Sequence, residues 1–116
     1  MSKSFRDLYI WQAAVELAVD VINITNEFPR QQRWVLVEQM QRAAVSVPSN
    51  IAEGRGRNSQ RELRHFLGIA RGSLYELDTQ LEIALRIGLL TPELRSAFGD
   101  RVATIGSGMS NLMNRL

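Results

Sequence analysis

The chain has 116 residues, no cysteine and a net charge of only +2. A chain of that length can form one domain whose hydrophobic core needs no disulfide bonds or metal ions to stabilise it. The lack of cysteine excludes a disulfide framework, a thiolate nucleophile and a cysteine-ligated zinc. No stretch approaches the ~20 apolar residues of a membrane span, and the first residues lack a signal-peptide core. We therefore expect one cytoplasmic domain with no membrane partner.

The positive charge is carried almost entirely by arginine, because Lys3 is the only lysine among 14 basic residues. From Gly54 to Arg71 five arginines oppose one acid, a net +4, whereas Gly72 to Leu94 carries a net −3. The planar guanidinium group of arginine can donate paired hydrogen bonds to a phosphate or a carboxylate. The distribution predicts a basic surface at one turn and along the helix that follows it.

In all long segments the apolar residues recur with a helical period, which predicts an all-α chain. Helix 1 is expected over residues 6–27, with a weak capping pattern at Ser4 and Asp7 and an end before Pro29. Helix 2 is expected over residues 31–53. Short connections between four helices predict an antiparallel, up-down-up-down four-helix bundle.

The first predicted helix has more apolar surface than a bundle requires. Its two apolar stripes cover an arc of about 200° at ~100° per residue, against the ~100° that a surface helix needs. The surplus predicts a homo-oligomer; the alternative is that helix 4 or loops cover it within one subunit. One stripe is Leu8, Trp11, Val15, Ala18 and Ile22. The interface is expected to use the other stripe, at Ile10, Ala14, Leu17, Val21 and Ile24.

Helix 2 contains Pro48, which removes one backbone hydrogen bond and predicts a kink or a break near residues 44–46. A polar stripe lies beside its core-facing residues and is expected to meet a matching flank of helix 3, where Arg42 would find Glu76 or another carboxylate. This polar seam is interpreted as a structural network that fixes register; a buried ligand site is the alternative. Its members are Gln39, Arg42, Ser46, Asn50, Glu53, Glu76 and Gln80.

The run GRGRNS from Gly54 to Ser59 joins two predicted helices. It lacks the Lys-Ser/Thr of a phosphate-binding P-loop and does not follow a strand, so its glycines are expected to let the chain reverse. Ser59 and Glu62 form a capping box that opens helix 3, which should end near Gly88. The helix 3 core is predicted at Leu63, Leu67, Ala70, Leu74, Leu77, Leu81 and Ala84.

Helix 4 is expected to begin at Thr91-Pro92, a capping residue followed by a first-turn proline. Its apolar positions are less regular than those of helix 3, because Gly106 and Gly108 interrupt them. These positions are Leu94, Phe98, Val102, Ile105, Leu112 and Leu116.

Glu62 and His65 form an E-x-x-H pair, the spacing of di-iron bundles. His65 lies about 160° from the core direction of Leu63, and it is the only histidine. With a single histidine, the chain lacks the side chains that a metal site, a general acid–base pair or a Ser-His-Asp triad would need. We expect no enzyme activity, no catalytic residue, no metal or other cofactor, and no small-molecule substrate.

The arginine cluster is the remaining candidate site. Near the start of helix 3, basic side chains combine with the anion preference of a helix N-terminus, which is typical of a phosphate-backbone grip. The alternative is a solvated face that pairs with acids of a neighbouring subunit. The candidate nucleic-acid-binding residues are Arg55, Arg57, Arg61, Arg64 and Arg71.

Three motifs make the chain similar to a known family. They are F-x-D-L-x-x-W-Q from Phe5, Q-M-Q-R-A-A-V-S-V-P-S-N-I-A-E-G from Gln39, and F-L-x-I-A-R-G-S-L-x-E-L-x-T-Q-L from Phe66. With Phe28-Pro29, they resemble the 23S rRNA intervening-sequence four-helix proteins over helices 1 to 3. The resemblance implies a four-helix bundle that assembles as a homopentameric ring. It also implies kinship with the accessory variability determinant of diversity-generating retroelements, which binds nucleic acid and a reverse transcriptase.

Two functional hypotheses follow. The first is a non-enzymatic oligomer whose symmetry multiplies the arginine patch into a surface for structured RNA or another nucleic acid. The second is an adaptor that docks a protein such as a reverse transcriptase, with the arginines binding carboxylates.

Overall fold

The structure is a computed structural model that describes Phe5 and residues 8–116. Consecutive helices pack side by side and the last closes against the first, so the all-α antiparallel four-helix bundle is confirmed. The helices are α1 (Tyr9–Thr25), α2 (Glu38–Arg55), α3 (Gln60–Arg86) and α4 (Pro92–Asn114).

Two of the helix starts are capped as the sequence predicts. The Ser59 hydroxyl accepts a hydrogen bond from the backbone N–H of Glu62 at 3.1 Å, and the Thr91 hydroxyl accepts one from Leu94 N–H at 3.1 Å. Gly88, just beyond α3, has φ +84, a left-handed conformation that favours glycine. The predicted capping pair Ser4 and Asp7 lies outside the described residues.

The entry to α2 differs from the prediction. Instead of an α-helix from Gln31, a 3₁₀ turn at Arg30–Gln32 leads into a π-helical turn at Arg33–Val37. There the N–H of Glu38 bonds to the carbonyl of Arg33, five residues back. This turn buries its last two residues and leaves Trp34 and Val35 exposed, at 74% and 67%.

The hydrophobic core confirms the predicted seam of α3, since all seven of its positions are buried. Of the six positions predicted for α4, Phe98, Val102 and Ile105 are buried, whereas Leu94 is exposed. Leu112 and Leu116 are half-buried and pack against the core.

The predicted subunit interface on α1 requires a correction. Ile10, Ala14, Leu17 and Val21 are at most 6% exposed in the single chain, and Ile24 is half-buried and packs against the core. Four of these five side chains already fill the interior of one bundle, so they cannot also form a surface for another copy. The alternative of burial within one subunit holds for them.

The other stripe of α1 remains partly open. Of its five members only Ala18 is buried, while Trp11, Val15 and Ile22 are half-buried. Val19, which has nearly the same helical phase as Val15, is 50% exposed. Within the apolar arc of α1, this flank is therefore the more exposed part.

Pro48 is buried inside α2, which continues without a break from Glu38 to Arg55. The break that the proline suggested does not occur; a bend there stays a prediction. Nearby, the side-chain amide of Asn50 donates to the carbonyl and to the hydroxyl of Ser46, each at 2.9 Å. These bonds join successive turns of the helix beside the proline.

Two glycines allow close approach between helices. A Cβ on Gly54 would lie 2.8 Å from Cβ of Phe66, and one on Gly108 would lie 2.5 Å from Cγ2 of Ile10. Both distances are far below the ~3.5–4.0 Å of a carbon–carbon contact. In contrast, a Cβ on Gly68 or Gly72 in α3 would meet nothing within 4 Å.

Across the described part of the chain, no helix combines the length and apolar character needed to cross a bilayer.

Candidate nucleic-acid interface

The α2–α3 turn is built differently from the expected glycine reversal. Gly56 ends α2 with φ −79, a conformation open to any residue, and its N–H bonds to the carbonyl of Ala52 at 3.0 Å. Gly54 is required by the contact with Phe66 instead. The turn is therefore tight because two helices pack closely, and the glycines form no cradle of left-handed backbone.

The two turn arginines differ in their surroundings. Arg57 pairs with Glu53 at 2.9 Å and with Glu62 at 3.7 Å, and its guanidinium lies 5.0 Å from the centroid of the Phe66 ring. Arg55 is half-buried, and its Nε is enclosed without a hydrogen-bond partner. These two residues project less free charge than the sequence suggested.

The α3 arginines are the free part of the cluster. Arg61 and Arg64 are exposed, and Arg71 donates to the Ser110 hydroxyl of α4 at 3.4 Å. Within residues 8–116 the ion pairs use other arginines. The helical phases of Arg64 and Arg71 differ by only about 20°, so both lie on the flank that faces α4.

The five predicted arginines thus share one end of the bundle without sharing one face. Arg57 lies toward Phe66 and the α2 side, while Arg64 and Arg71 lie on the α4 side and Arg61 lies between them on the outside. The free basic charge covers a narrower surface than predicted and centres on the three α3 arginines.

An open groove between α3 and α4 continues this surface. It has a volume of about 440 Å³, and Tyr75, which is 53% exposed, forms part of its α3 wall. A Cβ on Gly106 would lie 3.6 Å from Leu74 and 4.0 Å from Tyr75, so the glycine keeps the groove deep. Its α4 lining includes Ala103, Gly106, Ser107, Ser110 and Asn111.

Tyr75 was not among the predicted site residues, because it lies outside the arginine run of residues 54–71. Tyr75 follows Arg71 by four residues, which places the two side chains on neighbouring turns of one helix face. This spacing of four residues is the sequence feature from which the proximity of Arg71 and Tyr75 could have been predicted. The α4 contribution could not be inferred, because it depends on which residues of α4 lie opposite Arg71.

The polar seam forms in part. Ser46 of α2 and Ser73 of α3 share a hydrogen bond of 2.8 Å, and Asn50 joins them through Ser46. Gln80 is buried and donates to Glu76 at 3.4 Å. Of these bonds, the Ser46–Ser73 bond joins α2 to α3, whereas the Gln80–Glu76 bond stays within α3 and the buried Oε1 of Gln80 has no hydrogen-bond partner.

The outer members of the seam behave differently. Arg42 pairs with Glu38 on its own helix at 3.4 Å instead of with Glu76, and both partners are largely exposed. Gln39 is exposed, and Glu53 is exposed and pairs with Arg57.

The E-x-x-H pair stays apart from the core. His65 is exposed and packs edge-on against Phe66, with ring centroids 5.2 Å apart. Residues 8–116 and Phe5 contain no group of three histidine or acidic side chains that could hold a metal ion.

At the opposite end, Arg95 fastens α4 to α3. It donates to Asp78 at 2.9 Å and to Glu82 at 3.2 Å, and Glu82 also accepts from Arg86 at 3.0 Å. The hydrogen bonds from Arg86 and then from Arg95 hold the pKa of Glu82 below its ordinary 4.5. Asp78 and Glu82 thus lie two or more turns beyond Arg71 and are paired with arginines, although Asp78 also lines the α3–α4 groove.

Fold and site together define an antiparallel four-helix bundle protein with an arginine-bearing flank. The model of the family described as 23S rRNA-intervening sequence protein matches residues 6–111. The chain belongs to that family.

A solved structure supports the fold. The chain is similar, with a TM-score of 0.84 and 22% identity, to a protein of unknown function from the S23 ribosomal protein family of Bacteroides thetaiotaomicron. The match covers 90% of this chain and 95% of the other. No curated protein matches the sequence.

Proposed function

We propose that this protein is a non-enzymatic homo-oligomer that binds structured RNA or another nucleic acid through the arginines of α3. The observation that carries the proposal is the free charge of Arg61, Arg64 and Arg71 on a stretch whose single acid, Glu62, is engaged with Arg57. No other acid lies between Glu62 and Glu76, and none follows Asp100 in α4. A phosphate backbone is the ligand that such a surface fits.

Assembly supports the same function. The half-open flank of α1 at Trp11, Val15, Val19 and Ile22 gives a second copy an apolar surface, and the family resemblance implies a pentamer. Symmetry would then repeat the arginine flank on each subunit and strengthen the field acting on a polyanion. We propose this flank as the α1 part of the subunit contact.

Anisotropy of a fluorescein-labelled RNA hairpin tests the binding. Replacing Arg61, Arg64 and Arg71 together with glutamine should weaken binding at least tenfold at moderate salt, because each removes a phosphate contact. The matched control is Arg30→Gln, an exposed arginine at the other end of the bundle, which should bind as the wild type does. Equal binding by the triple variant and the wild type would reject the site.

Sedimentation equilibrium tests the assembly. The wild type should sediment as a multiple of the 13.1 kDa chain, five copies being the number that the family implies. Val19→Asp should dissociate it by placing a charge in an apolar contact, whereas Ser96→Asp adds the same charge on exposed α4 surface and should not. A wild type that stays a single chain at micromolar concentration would contradict the proposal.

The second candidate function is a protein adaptor, and one observation favours it. Trp34 and Val35 protrude side by side from the π-helical turn, at the end of the bundle away from the arginines. An exposed tryptophan is a typical anchor of protein interfaces. If the chain docks a reverse transcriptase, Trp34→Ala should abolish binding of the purified partner after nuclease treatment, while the triple arginine variant should retain it.

A further inference from the structure

We infer that the groove between α3 and α4 receives a single-stranded segment of the nucleic acid, with one base stacked on Tyr75 and phosphates of the same strand on Arg71 and, about five nucleotides away, on Arg64. This inference rests on the proposed function and specifies the form of nucleic acid that the site takes. It depends on three features of the groove: its cationic rim, its aromatic wall and its polar far side.

The cationic rim is positioned by a contact between helices. Ser110 lines the groove and accepts a hydrogen bond from Arg71, which fixes this guanidinium at the groove edge. Arg64 lies two turns earlier on the same flank. From Arg64 to Tyr75 the helix rises about 16 Å at 1.5 Å per residue, the length of about five stacked nucleotides at ~3.4 Å each.

The aromatic wall is the element that a purely electrostatic surface lacks. Tyr75 is more than half exposed although it adjoins a groove, and Gly106 leaves space beside its ring. Every base has a π-face, so stacking on such a ring is tolerant of sequence. A duplex keeps its bases stacked on each other, and therefore only an unpaired base can use this wall.

The far side of the groove offers hydrogen-bonding groups at the right depth for a base edge. Ser107 and Asn111 of α4 line it together with Ser110, whereas Ala103 and Gly106 provide small apolar surface between them. Asp78 lines the groove one turn beyond Tyr75, and its carboxylate is paired with Arg95. The cavity volume falls within the ~300–1,000 Å³ of small-molecule sites. A nucleotide thus meets arginine at its phosphate, tyrosine at its face and amide or hydroxyl groups at its edge.

Two glycines on the same helix, Gly68 half-buried and Gly72 exposed, give the strand room to approach. A Cβ on Gly68 or Gly72 would meet nothing within 4 Å. Glycine nevertheless lowers the equilibrium constant for helix formation, by up to about tenfold relative to alanine, when it lies inside a helix. Packing within one chain therefore does not require glycine at either position. Both lie between Arg64 and Tyr75 along the helix, where the backbone of a bound strand would pass.

The test compares labelled oligo(U) of twelve nucleotides with a labelled RNA duplex of equal length, by fluorescence anisotropy. Tyr75→Leu should weaken oligo(U) binding by ~5–150-fold, the range that corresponds to loss of one stacked base, and leave duplex binding within twofold. Tyr75→Phe keeps the ring and should bind as the wild type does. Ala103→Phe, which fills the groove from exposed α4 surface, should reproduce the loss.

The outcomes separate this inference from the function on which it rests. Unchanged oligo(U) binding by Tyr75→Leu, or an equal loss for both probes, overturns the stacking site while arginine-dependent binding keeps the proposed function. Failure of the wild type to bind either probe overturns both. Selective loss of single-strand binding, restored by phenylalanine, supports the inference.

Discussion

Replacement of Gly108 by alanine tests the contact between α1 and α4. The new Cβ would lie 2.5 Å from Cγ2 of Ile10, at least ~1 Å closer than carbon atoms pack. Ile10 cannot simply rotate away, because a β-branched side chain on a helix has one strongly preferred χ1 rotamer and this one is buried. One helix must therefore move outward.

The magnitude follows from two opposing effects. Overpacking a core costs about 1–3 kcal/mol, whereas replacing a helical glycine with alanine gains about 1 kcal/mol. Gly108→Ala should therefore lower the free energy of unfolding by about 0–2 kcal/mol. Gly68→Ala, whose Cβ meets nothing, should raise it by about 1 kcal/mol and is the matched control.

Urea unfolding followed by circular dichroism measures both variants. The two should differ by about 1–3 kcal/mol, or several degrees in Tm for a domain of this size. In an Ile10→Ala background the clash partner is absent, so Gly108→Ala should become neutral or stabilising, and the effects should not add. If Gly108→Ala stabilises the wild type as much as Gly68→Ala does, the described helix contact is refuted.

Three further predictions concern single residues. The lowered pKa of Glu82 contributes stability that is present above pH 4.5 and is lost as pH falls through the lowered value; NMR should place its titration midpoint below 4.5, and Arg86→Gln should raise that midpoint. Thr91→Ala should cost about 1 kcal/mol in urea unfolding through loss of the α4 cap, and an unchanged midpoint would contradict this. Gly54→Ala should destabilise the bundle by about 1–3 kcal/mol because its Cβ would collide with α3, whereas Gly56→Ala, with a 3.5 Å nearest contact, should fold normally.

Periodicity predicted the helices well, because the spacing of apolar residues reports directly which side of a helix is buried. All seven core positions of α3 and the caps at Ser59 and Thr91 were predicted this way. The π-helical turn before α2 was not, since no residue between Arg33 and Val37 signals its extra residue per turn. Because the turn was not predicted, the exposure of Trp34 was not predicted either.

The apolar arc of α1 is wide, as the sequence indicates, but its predicted division into a core stripe and an interface stripe was wrong. Two stripes of similar character cannot be told apart until the neighbours of the helix are known, and Leu17 proved to face the core while Val19 faces outward. The role of Gly108 was missed for the same reason. Its cost to an isolated helix is visible in the sequence, whereas its contact with Ile10 depends on how α1 and α4 cross.

The sequence predicted the arginines of the candidate site and a basic surface, but not which of these arginines stay free of ion pairs. Charge counting cannot show that Arg57 is held by Glu53 and Glu62, nor that Arg71 reaches Ser110 across the groove. Both facts depend on tertiary packing. In the structure the charge that is free of ion pairs lies mainly on the α3 members, and Tyr75 is exposed one turn beyond Arg71.

The salt dependence of RNA binding measures the central proposal most directly. A plot of log Kobs against log salt concentration should lose about 0.7–0.9 of slope for each of Arg64 and Arg71 replaced by glutamine, and Arg30→Gln should leave the slope unchanged. If the slope is the same for all of these proteins, or falls equally for the control, the arginine flank of α3 does not hold a phosphate backbone.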